Sequence, residues 1–102
     1  MPQLAVQTWA AAAAFSPTGV QAELRGGSRP HQEWSNGPHT RYVEHTHPFE
    51  KLLICLEGSI VFYVPGQRAL ELRPGDRLVL PAGARHAARV GPQGVRCVEV
   101  HR

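Results

Sequence analysis

The sequence predicts an all-β fold, a small sandwich or barrel, and three observations point there. From Tyr42 onward, short β-prone runs alternate with Gly- and Pro-containing turns. The runs recur at intervals of about 8–12 residues, the rhythm of sandwiches and barrels. A chain of 102 residues also leaves room for one domain with one modest core.

Leu4, Val6 and Thr8 alternate with Ala5, Gln7 and Trp9, the pattern of a short edge strand. Ser16-Pro17 reads as an N-cap followed by proline in the first helical turn. The short N-terminal helix so begun passes Val20, Ala22 and Leu24 and stops at Gly26-Gly27. Arg29 to Trp34 reads as a further strand, closed by the turn Ser35-Asn36-Gly37-Pro38. Residues 1–41 are therefore expected as an N-terminal extension packed on a barrel core of residues 42–102, in one domain overall. The core strands are expected at Lys51–Glu57, Ser59–Val64, Ala69–Leu72, Leu78–Leu80, His86–Val90 and Val95–His101. Glu57-Gly58, Pro65-Gly66-Gln67, Arg73-Pro74-Gly75-Asp76, Pro81-Ala82-Gly83 and Gly91-Pro92-Gln93-Gly94 are the turns between them.

Hydrophobic residues make up 42% and charged residues 19% of the chain, a globular composition. No apolar run approaches the roughly 20 residues that span a bilayer. The Ala-rich stretch from Leu4 to Phe15 has no Lys or Arg before Arg25, and Gln7 and Thr8 interrupt it. It reads as mature protein rather than a secretion signal, which makes the cytoplasm the expected compartment. Ten of the eleven basic residues behind the +3 charge are arginines scattered singly. A nucleic-acid surface concentrates its charge on one face, so no nucleic-acid partner and no membrane partner are expected. Cys55 and Cys97 sit inside apolar runs and read as reduced core thiols.

His45-Thr46-His47 sets two imidazoles two residues apart, which on a strand sends both to one face. His86 follows a rigid Pro81-Ala82-Gly83 turn at the start of another strand. Three such histidines converging from two strands would hold one divalent metal at about 2.0–2.1 Å. Taken alone, a His-x-His pair is more often an ordinary surface or core polar pair than a metal site. His31, His39 and His101 read as exposed single residues in loops or tail.

The flanking residues carry a resemblance. His45-x-His47-x3-Lys51-x6-Gly58, then Gly75-x5-Pro81-x-Gly83-x2-His86-x3-Val90, resemble the two motifs of the cupin superfamily, and of a small single-domain, type-2-like cupin in particular. Sixteen residues separate Gly58 from Gly75. The resemblance implies a double-stranded β-helix (jelly-roll) barrel, often a homodimer, with a divalent transition metal (Fe, Zn, Ni, Mn or Cu) on His45, His47 and His86. Three positions depart from the motifs: Lys51 stands where the family has a ligating Glu, Val90 where it has Asn, and His39 where the first motif opens with Gly. Glu50 is adjacent but has the wrong parity, and would become a fourth ligand only if a bulge after Pro48 shifted the strand by one.

A dication and an ammonium about 5 Å apart repel by roughly 6–7 kcal/mol at an effective dielectric near 20. Lys51 must therefore be neutral, pair with Glu50 or Glu57 at the barrel mouth, take the metal's place, or share an anionic ligand with the metal. Residues of the histidine parity (Phe49, Lys51, Leu53, Cys55, Ala88 and Val90) are expected to line a pocket for a small organic molecule. Leu52, Ile54 and Leu56 make the same strand apolar on its other face. The N-terminal segment with Trp9 and Trp34, or a second subunit, is expected to cover it. Two functional readings follow. One is a three-histidine metal protein with a small ligand in the barrel, oxygenase- or isomerase-like. The other is a metal-free, non-catalytic module in which Lys51 holds a small anion.

Overall fold

The computed structural model describes residues 4–7, 16 and 31–102. Six strands follow one another: β1 (His31–Asn36), β2 (Arg41–His45), β3 (Lys51–Tyr63), β4 (Leu70–Leu72), β5 (Arg77–Leu80) and β6 (His86–His101). All pairings are antiparallel.

The two long strands organise the barrel. β3 and β6 pair along nearly their full length, from Lys51 opposite His101 to Tyr63 opposite Ala87. The first part of β3 also pairs with β5, while the matching part of β6 pairs with β1. The second part of β3 pairs with β4, and the matching part of β6 with β2. The result is two four-stranded leaves, β1-β6-β3-β5 and β2-β6-β3-β4, joined where β3 and β6 bend. This is the double-sheet barrel the sequence predicts.

Glu57-Gly58 and Gly91–Gly94 were expected to be turns separating four strands, and the structure corrects this. They are bulges inside two continuous strands, with register shifts between Cys55 and Glu57 and between Gly58 and Ile60. Glycine suits a bulge because it takes positive φ: Gly58 has φ 73° and Gly94 φ 81°. The strand expected at 29–34 lies at His31–Asn36 and pairs with β6 throughout. Of the expected N-terminal edge strand, the described part makes one bridge, with Gln7 and Arg77 exchanging backbone hydrogen bonds of 2.9 and 2.8 Å. The predicted helix lies outside the described residues except at Ser16, as does Trp9.

Parity along β3 and β6 divides the apolar residues. Leu53, Cys55, Ile60, Phe62, Ala88, Val90, Val95 and Cys97 point inward with Leu70, Leu72, Leu78 and Leu80 to form the main core. Ile54, Leu56 and Val98 form a second cluster on the other face, with Leu52 against it. All three are buried within the single chain. Trp34 does not cover this face: it stands opposite Cys97 and packs on the main core instead. Cys55 and Cys97 are buried free thiols on directly opposed positions. Their mutual hydrogen bond, with burial, pushes the Cys97 thiol far up, and the same bond draws Cys55 down against its own burial.

Candidate metal centre

His45 closes β2 and His86 opens β6, and the two are register partners. His47 lies in the loop before β3, tied down by the amide of Gly83, which donates to the His47 carbonyl at 2.7 Å. One donor atom from each of the three imidazoles lies within 4.8 Å of the others. The ring centroids of His45 and His86 are 4.3 Å apart, and His47 stands 4.8 and 5.3 Å from them.

Backbone carbonyls fix the rings. His45 Nδ1 lies 2.6 Å from the Val43 oxygen and His86 Nδ1 2.9 Å from the Ala84 oxygen. A carbonyl only accepts, so Nδ1 carries the proton and donates, which leaves the Nε2 lone pair for the cluster. Burial pushes the His86 pKa below its ordinary value. It does the same to His47, helped by the Lys51 charge. Both effects favour the neutral imidazole, the form that ligates metal. The donor set fits a divalent transition metal.

Neither Glu50 nor Glu57 neutralises Lys51. Glu50 Oε2 pairs with Arg102 at 3.0 Å and stands outside the histidine cluster, and Glu57 pairs with Arg96 at 3.1 Å. Lys51 Nζ instead lies 3.6 Å from Glu99 Oε2 and 3.3 Å from His47 Nε2. Glu99 is only 7% exposed. Its contacts with His101, Lys51 and Gln32 overcome the burial penalty and hold its carboxyl below the usual range.

A cavity of about 390 Å³ opens at the histidines. Of the residues expected to line it, Lys51, Leu53 and Ala88 do so, together with the three histidines. Cys55 and Val90 have the inward parity but lie deeper, in packed core. Phe49 stacks between His47 and His101, with centroids 5.3 and 4.1 Å away. The sequence reading missed Glu99, Trp34, Tyr42, Gln32 and Phe62, all in the wall. Trp34 and Tyr42 meet edge to face at 6.1 Å, and the buried Trp34 indole N–H meets no acceptor among the described residues. Glu99 carried a readable signal, being a carboxylate of Cys97's parity inside the apolar run from Val95 to Val100.

The model of the cupin domain matches residues 32–101. The chain belongs to the cupin family. Solved structures similar to this cupin include the DMSP lyase DddQ from Ruegeria pomeroyi, 26% identical, covering 71% of this chain and 36% of that one with a TM-score of 0.66. The polyketide cyclase RemF from Streptomyces resistomycificus is 29% identical, covering 78% of this chain and 58% of that one with a TM-score of 0.64. A cupin superfamily protein from Desulfitobacterium hafniense, 18% identical, covers 97% of this chain and 76% of that one with a TM-score of 0.63. The chain thus spans about a third of the lyase and rather over half of the cyclase. No curated protein sequence matches it.

The three departures from the cupin motifs have distinct outcomes. Val90 is absorbed into the core. His39 takes the left-handed backbone conformation that favours glycine, at φ 62°. Lys51 points into the cavity and meets Glu99.

Proposed function

We propose that this cupin binds one divalent transition metal through His45, His47 and His86 and takes a small organic anion into the adjoining cavity. The observation that carries the reading is the convergence of three imidazoles, two of which, His45 and His86, have their free nitrogens set by backbone acceptors. A metal so held, with open positions, supplies Lewis-acid polarisation of a bound carbonyl or carboxylate. With Lys51 and Glu99 cancelling, and neutral imidazoles, the site carries the full charge of its dication, which favours an anionic ligand. The Trp34 indole N–H offers a donor to an acceptor on that ligand, while Leu53, Phe62 and Ala88 exclude water from its apolar part. The structural likeness to a lyase and a polyketide cyclase supports non-oxidative chemistry over oxygenase-like chemistry.

The test is metal content per chain, by plasma mass spectrometry on protein purified without chelator or affinity tag, beside His86→Ala. Near-stoichiometric metal that disappears in the variant is the expected result. The 3.3 Å approach of Lys51 Nζ to His47 Nε2 favours a second reading, in which the ammonium takes the metal's place and binds the anion itself. A wild type still empty after incubation with Fe(II), Zn, Ni and Mn overturns the metal reading, and binding of a small anion that is lost in Lys51→Met would then support the second.

A further inference from the structure

We propose that Glu99 is a positioning residue of the metal centre: it anchors and neutralises Lys51, and thereby sets how tightly the three histidines hold a divalent metal. The inference rests on the metal reading above and extends it to a residue of the last strand, outside both cupin motifs.

Glu99 stands opposite Leu53 on β6, and its carboxylate shares the cavity with all three histidines. A carboxylate at this depth is costly unless it is paired. Here Oε2 receives contacts from three strands: Lys51 Nζ of β3 at 3.6 Å, Gln32 Nε2 of β1 at 3.4 Å, and the His101 ring of β6. The carboxylate is thus held from several sides, and it is the acid that lines this cavity among the described residues. Glu50 and Glu57 are committed to Arg102 and Arg96 and supply no substitute.

The consequence follows from where Lys51 sits. Its ammonium is 3.3 Å from His47 Nε2, an atom the metal needs. Metal binding requires that hydrogen bond to break and the ammonium to remain beside a dication. Glu99 gives the ammonium a partner to keep, and its own negative charge offsets the repulsion. The family's single carboxylate at the motif position is thereby replaced by a pair, a cation on β3 and an anion reaching it from β6.

The experiment is a double-mutant cycle on the full chain, read as the Kd for Co(II) by competition with a chromophoric chelator. It compares wild type, Glu99→Gln, Lys51→Met and the double variant. Glu99→Gln is expected to weaken binding by about 10- to 100-fold, the usual scale for residues supporting a metal ligand. Lys51→Met is expected to tighten it. With Met at 51 only the carboxylate's own attraction for the metal is left to lose, so adding Glu99→Gln should weaken binding clearly less than it does in the wild type. A Glu99→Gln variant within about twofold of wild type overturns the proposal. Equal weakening in both backgrounds also overturns it, by making Glu99 a direct ligand. Should Glu99→Gln not fold, Lys51→Met alone decides, since weaker binding there sinks the idea. A wild type that binds no Co(II) overturns the metal reading itself, whereas metal binding with an additive cycle overturns this inference alone.

Discussion

The amide of Gly83 donates to the carbonyl of His47 at 2.7 Å, joining the turn before β6 to the loop before β3. Through this bond the turn that launches His86 is locked to the segment carrying the other two histidines. Gly83 has φ 78°, and a Cβ there would meet nothing within 4 Å. Gly83→Ala therefore isolates the backbone cost, about 1–2 kcal/mol. The variant is expected to fold, to lose that much stability in urea, and to bind metal more weakly as the turn shifts. Unchanged metal affinity alongside lowered stability would show that the turn does not govern the cluster.

Gly58 and Gly66 separate two reasons for glycine. Their φ angles are 73° and 79°, so the backbone strain of an alanine is the same at both. Their surroundings are not: a Cβ on Gly58 would lie 1.9 Å from the Gly94 oxygen, while one on Gly66 meets nothing. Gly66→Ala should cost about 1–2 kcal/mol. Gly58→Ala must also part β3 from β6 at the bend, and is expected to leave no cooperative unfolding transition. Similar thermal midpoints for the two variants would refute the steric account.

The barrel was readable because β-prone runs recur at short intervals between segments rich in Gly and Pro. The histidine cluster was readable because two of its members lie two residues apart and the third follows a rigid turn. Alternation cannot separate an interruption from a bulge. Gly58 and Gly91–Gly94 look like turns in sequence, yet both strands continue through them and pairing resumes with shifted register. Nor does parity say how deep a cavity reaches: Cys55 and Val90 face inward as expected but sit in solid core. The partner of Lys51 was hidden for a third reason. Glu99 comes from the far end of the chain, and only β3–β6 pairing brings it beside residue 51.

His39 offers a gain in stability. A non-glycine residue at φ 62° is strained by about 1–2 kcal/mol, and its amide is held there by a 3.2 Å bond to the Gly91 oxygen. His39→Gly removes the strain while adding backbone entropy to the unfolded chain, about 0.5–1 kcal/mol. The net expectation is a Tm higher by roughly 2–6 °C. His39→Ala keeps the strain and should gain nothing; a comparable rise there would place the effect in the imidazole rather than the backbone.

Stability of the metal-free protein should fall with acidity in two stages. His86 and His47 are held below the ordinary histidine value of 6.5 in the folded state, chiefly by burial. As pH drops through 6.5 the unfolded chain takes up protons that the folded chain refuses. Stability is therefore lost from that point, and the loss levels off only once the buried imidazoles also protonate. Glu99 acts lower. Its folded-state pKa is depressed below 4.5, so its contribution is intact above that value and disappears as pH falls through the depressed one. Urea midpoints measured with chelator present, from about pH 8 down to about pH 2, should show both stages. A His47→Gln, His86→Gln double variant should lose most of the first stage and keep the second. An equally steep first stage in that variant would mean other groups, rather than these buried imidazoles, carry the acid sensitivity.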